Sequence, residues 1–238
     1  MNYRTPQLLS KPFSFKALLY KTLSYQLSFA IMLAITASDA PAALSEMSRI
    51  FHQTPSLHAF EICFGGGCAE VRQVALTAEE QKKVEHLFQS NVPLNAMQER
   101  EKIAEAIGLL EVIVGEKIGT ANDIAGTFYT GNLTGQLDCN DEAINTTTYI
   151  RLMRQMGLVK WHTVEDTRVR NLFFNGWPHS TAVIRDIDSD ERYAVDSWFY
   201  DNGAPATIVL FATWKSGYRP ADSPIGQPRA SKTNPPTR

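Results

Sequence analysis

The sequence predicts an α+β fold in which helices pack on an antiparallel β-sheet, and three observations carry that expectation. Apolar residues recur at three- and four-residue steps through the first half of the chain and change to strand-like alternation after Leu158. Turn residues then separate the runs at short intervals, as in a meander. Helices followed by strands, rather than the two in alternation, is the pattern of an α+β domain. The composition agrees, since 238 residues with 44% apolar and 20% charged can bury a full core without a metal.

The chain reads in three parts. Residues 1–42 form a secretory signal peptide, with a cationic lead (Arg4, Lys11, Lys16, Lys21), an apolar run over 27–37 and small residues at Ala40 and Ala42 before the cleavage point. The run is 11 residues long, short of the roughly 20 that span a bilayer. No stable membrane span is expected after cleavage. A single domain follows over 43–218. Residues 219–238 hold five of the twelve prolines and read as a disordered tail. Such export places the protein in the periplasm or outside the cell.

The elements follow in order. Strand-like 59–62 and 69–76 flank a Gly-rich turn and form a hairpin. Thr77 and Glu80 make a capping box that opens a helix through Gln89. A second helix begins near Asn95, carries Ile103, Ile107, Leu110, Val114 and Ile118 on one face, and closes at Gly119. A loop through 137 leads to a third helix capped by Asp138 and stopped by Gly157. Strands are expected at 158–164, 169–174, 180–185, 193–198 and 208–214.

The net charge of −2 excludes the broad positive field of a nucleic-acid binder. The three cysteines are more informative. Cys63 and Cys68 bracket Phe64-Gly65-Gly66-Gly67, whose turn brings them within bridging distance, so a disulfide is expected in an oxidising compartment. Cys139 is left over. It is either a buried structural thiol or a nucleophile, and its position in the first turn of the third helix favours the thiolate. No metal or cofactor is expected. The Cys63–Cys68 spacing does not suit a zinc ribbon, and Asp186, Asp188 and Asp190 lack the offsets of a calcium loop.

A nucleophile needs a base, and the base an orienting group. His162 is poorly placed, because the helix carries the chain about 26 Å away and six extended residues return about 20 Å. His179 opens a strand. A hairpin centred near Asp188-Ser189 pairs Thr181 with Asp196, which puts His179 and Asp196 on one face as diagonal neighbours.

In these residues the chain resembles the transglutaminase-like, papain-like cysteine enzymes. The resemblance lies in Asp138-Cys139-Asn140-Asp141-Glu142-Ala143 at a helix start, His179-Ser180-Thr181-Ala182-Val183-Ile184 on one strand and Tyr193-Ala194-Val195-Asp196-Ser197-Trp198 on another. It covers about residues 120–200, with spacings of 40 and 17 between the three chemical residues. It implies a papain-like, transglutaminase-like core with a Cys139–His179–Asp196 triad. Such an enzyme attacks amides or esters through a thioester, as a peptidase, amidase or acyl transferase, on a peptide, protein or peptidoglycan-stem substrate. An aromatic or glutamine often completes the oxyanion hole in that superfamily, and Gln136 and Trp177 are the candidates. The alternative is an envelope binding module that keeps the fold without catalysis.

Overall fold

The computed structural model describes residues 53–128, 134–170 and 178–226. Within them lie four helices, a two-stranded antiparallel sheet and a four-stranded antiparallel sheet, so the α+β class holds. They belong to one compact unit, Ser45–Arg238. The expected signal peptide lies outside the described residues. Among those described, no helix is long and apolar enough to cross a membrane.

Strands β1 (Phe60–Phe64) and β2 (Glu70–Val74) form the expected hairpin, with Cys63 opposite Val71. The Cys63–Cys68 disulfide closes it. Helix α1 (Ala78–Gln89) opens on the expected capping box, in which Thr77 Oγ1 accepts from the Glu80 N–H at 3.3 Å and Glu80 Oε2 accepts from the Thr77 N–H at 2.8 Å. Helix α2 (Ala96–Ile118) is capped by Asn95 and ends at Gly119, whose φ of 89° suits only a residue without Cβ. Its stripe from Ile103 to Ile118 is buried in the main core.

Helix α3 (Cys139–Gln155) is not a one-sided surface helix. Nearly its whole circumference is buried, threonines included. Thr147 and Thr148 settle their hydroxyls by donating to the carbonyls of Ala143 and Ile144, at 2.7 and 3.0 Å. The hairpin, α2 and the larger sheet all pack against it. The sheet runs β3 (His162–Arg170), β4 (His179–Asp186), β5 (Arg192–Asp196) and β6 (Thr207–Leu210), each antiparallel to its neighbour. Ala182 pairs with Val195, the register expected from the Asp188-Ser189 turn.

Three expectations need correction. The runs 158–164 and 169–174 are not two strands; β3 is continuous across them, with a bulge between Glu165 and Arg168, and 171–174 lies outside the described residues. The run 208–214 is strand only to Leu210, after which Phe211–Lys215 forms a short helix, α4. Residues 219–226 are no free tail. Ser223 Oγ donates to the Phe199 carbonyl at 2.7 Å, Tyr200 donates to Asp222 at 2.6 Å, and Ile225 packs on the cluster around Trp198. The rest of the expected tail lies outside the described residues.

Glu99 explains why strand pairing does not begin at Leu158. Its buried carboxylate accepts the N–H groups of Lys160 and Trp161 at 2.6 and 2.9 Å, which are therefore not free for a ladder. It also meets His162 Nδ1 at 2.8 Å, while His162 Nε2 lies 3.1 Å from Arg100. Arginine can only donate, so Nε2 accepts and the ring proton sits on Nδ1. Glu99→Ala leaves the part-buried N–H groups of Lys160 and Trp161 and the buried His162 ring without their acceptor. Unfolding in urea at neutral pH is expected to show a loss of about 3 kcal/mol, and Glu99→Gln a smaller one.

Candidate active site

Helix α3 begins at Cys139, and its first turn is held by two carboxylates. Asp138 Oδ1 accepts the N–H groups of Asn140 and Asp141 at 2.9 and 3.0 Å, and Asp141 Oδ2 accepts the Asp138 N–H at 3.2 Å, a capping box. The same two side chains grip the disulfide turn. Gly67 donates to Asp138 at 2.7 Å, and Gly66 and Cys68 donate to Asp141 at 2.8 and 2.6 Å. Gly66 and Gly67 adopt φ of 88° and 60°, a conformation open to glycine that turns these N–H groups toward the helix. One turn on, Asn145 exchanges two hydrogen bonds with the Cys63 backbone, both 2.8 Å. The hairpin is thereby docked onto the helix that presents Cys139.

His179 Nε2 lies 2.6 Å from Asp196 Oδ2. The indole Nε1–H of Trp214 donates to the same oxygen at 2.7 Å. His179 and Asp196 thus meet as the hairpin register requires. A carboxylate accepts, so the imidazole donates from Nε2. Nδ1 is buried and makes no hydrogen bond among the described residues. Trp198, Phe199 and Trp214 surround the ring, with centroids 4.5, 5.5 and 5.7 Å away. Cys139 belongs to the apolar cluster made by these same three residues.

The thiol differs from expectation. Burial pushes Cys139 up to about 11, and the charges of Asp138 and Asp196 push the same way. The N–H groups of Ser180 and of Cys139 itself favour the thiolate but do not outweigh them. The helix N-terminus also serves Asp138, whose charge opposes the thiolate. Ser180 holds its strand close to this turn, donating to Asn140 Oδ1 at 2.6 Å.

Behind Asp196 lie three buried acids that sequence reasoning missed. Ser197 Oγ donates to Glu142 Oε2 and lies 3.1 Å from Thr146. The charge of Glu142 acts on both Glu111 and Asp123 and opposes their ionisation. Burial is the main cause that raises all three: Glu111 well above its ordinary value, Asp123 to about 9 and Glu142 to about 7. Asp123 also receives the Leu137 N–H at 2.7 Å, and Glu111 the Gly203 N–H at 3.1 Å. Ser197 thus ties the end of β5 to Glu142, one turn from Cys139.

Of the other sequence candidates, Gln136 is buried with its amide bound to the preceding loop, accepting from Ile124 and Thr127 and donating to Asn122 at 2.9 Å. Trp177 lies outside the described residues. His162 is far from the thiol cluster in its contacts, held by Glu99 and Arg100. Among the described residues no group of His, Cys, Asp and Glu could hold a metal ion. Trp214 and Arg170, both buried beside His179 and Asp196, were not anticipated; the need of a buried indole for an acceptor was the available signal.

No protein family, curated protein or solved structure matches the chain.

The acids set a pH dependence. Their folded values lie above the ordinary carboxylate range, so their contribution to stability is complete below about pH 4. It is lost as pH rises through about 7 for Glu142 and about 9 for Asp123. The melting temperature is expected to fall between pH 5 and 9, and Glu142→Gln to flatten that fall.

Proposed function

We propose that the protein is an exported cysteine-dependent enzyme acting on amide or ester bonds through a thioester, built on a transglutaminase-like, papain-like core. Cys139 is the nucleophile, His179 the general base and acid, and Asp196 the orienting acid. One observation carries the reading: Asp196 fixes the proton of His179 on Nε2, which leaves the buried Nδ1 an unengaged acceptor inside the aromatic cluster that also holds Cys139.

The raised thiol decides the order of events. No thiolate–imidazolium pair is stored in the resting state. The S–H proton passes to His179 Nδ1 as the sulfur attacks the carbonyl carbon, and the charge that develops on the carbonyl oxygen meets the backbone N–H of Cys139. The tetrahedral adduct then expels the amine or alcohol, which takes the proton from His179. The thioester is cleaved by water, giving hydrolysis, or by an amine, giving acyl transfer, with His179 again removing the proton. A peptide, protein or peptidoglycan stem fits this chemistry.

The burial of Cys139 favours a rival reading, an envelope binding module without catalysis. Mixing with p-nitrophenyl acetate separates the two. The enzyme reading expects an intact-mass gain of one acetyl group on Cys139, absent in Cys139→Ala and slowed about hundredfold in His179→Ala. Acetylation elsewhere, or an equal rate without His179, would favour the binding module.

A further inference from the structure

We infer that Arg170 and Trp214 are a positioning pair behind the Asp196 carboxylate, with Arg170 supplying its counter-charge and Trp214 its fixed donor. The inference rests on the enzyme reading of the same site. Arg170 ends β3 opposite His179 in the β3–β4 register, so the two side chains share a face of the sheet. Arg170 is 8% exposed, and its guanidinium stands over the Trp214 ring, 4.8 Å from its centroid. Its Nη1 donates to the carbonyls of Trp214 and Tyr218 at 2.7 and 2.9 Å, which fixes α4 against the sheet. That placement aims the indole N–H at Asp196 Oδ2, the oxygen already bound by His179.

Two features set this apart from an ordinary clamp. Among the described residues Arg170 forms no salt bridge, and its buried Nε–H makes no hydrogen bond. A buried cation without a contacting acid is costly, and neutral donors would hold two carbonyls as well. Its compensating charge is Asp196, at the far edge of the indole. The titratable groups that face it are Asp196 on β5, Cys139 on α3 and His179 on β4, while α4 offers the Trp214 ring. Asp196 and Cys139 both act on the guanidinium electrostatically. With Arg170 present, a fixed cation balances the Asp196 anion. The sulfur–imidazolium pair formed during attack then adds no net charge. Without it, the unbalanced carboxylate holds a proton on the imidazole and opposes the developing thiolate.

The test is the pH–rate profile of Cys139 acetylation by p-nitrophenyl acetate, with melting temperature measured beside it. Arg170→Met is expected to move the acid limb up by about one pH unit, which cuts the rate on the low-pH side of that limb about tenfold. Arg170→Lys restores the charge and returns the limb to its place, while losing the two-carbonyl fork and so melting earlier. Trp214→Phe keeps the ring and removes the donor, moving the limb in the same direction as Arg170→Met. It decides the matter alone if Arg170→Met fails to fold. Lower melting temperatures with an unmoved limb in Arg170→Met and Trp214→Phe would overturn the inference and leave a structural clamp. Acetylation that is indifferent to His179→Ala would instead overturn the enzyme reading, and the inference with it.

Discussion

Two carboxylates, Asp138 and Asp141, determine where the third sulfur of this chain sits. Each serves two structures at once, closing the first turn of α3 and accepting N–H groups from the disulfide turn. Helix starts carry unpaired donors, and tight glycine turns present others. Here both sets converge on one pair of acids. The covalent clip between Cys63 and Cys68 closes too small a loop to contribute much by chain entropy. Its value lies in holding the turn in a shape whose backbone matches the two side chains.

That arrangement also shapes the chemistry. A helix N-terminus can stabilise an anion, but at α3 the capping carboxylate shares it, and burial outweighs what the sulfur gains. In the proposed enzyme the burden of activation falls mainly on the imidazole. The orientation of that ring depends on a single oxygen, Asp196 Oδ2, shared by His179 and Trp214. Behind it, Ser197 and Glu142 join the end of β5 to the first turns of α3. Sulfur and carboxylate are thus connected through short links of hydrogen bonds rather than through loop packing alone.

Much of this was legible in the sequence because local rules govern it. Thr77, Asn95 and Asp138 announce their helices by capping chemistry, and Gly119 and Gly157 end two of them by backbone conformation. The turn at Asp188-Ser189 sets a register, and register alone brings His179 to Asp196. What escaped is set by distant partners. Glu111, Asp123 and Glu142 come from three separate segments and show no common spacing. Phe211–Lys215 carries strand-forming residues yet turns into a helix where Trp214 reaches back to Asp196. The prolines after Arg219 suggested disorder, although Ser223 and Asp222 find acceptors and donors on the segment after β5. Composition describes a segment; it does not reveal the surface that segment will meet.

The aromatic enclosure of Cys139 has a consequence for the lifetime of the protein. Oxidants such as peroxide attack thiolates that solvent can reach, and an attacked sulfur proceeds toward acids that are not easily reduced. A sulfur at 8% exposure beside Trp198, Phe199 and Trp214, its ionisation opposed by burial, offers an oxidant little charge and little access. The wall that makes the group slow to ionise is therefore also its shield against chemical ageing.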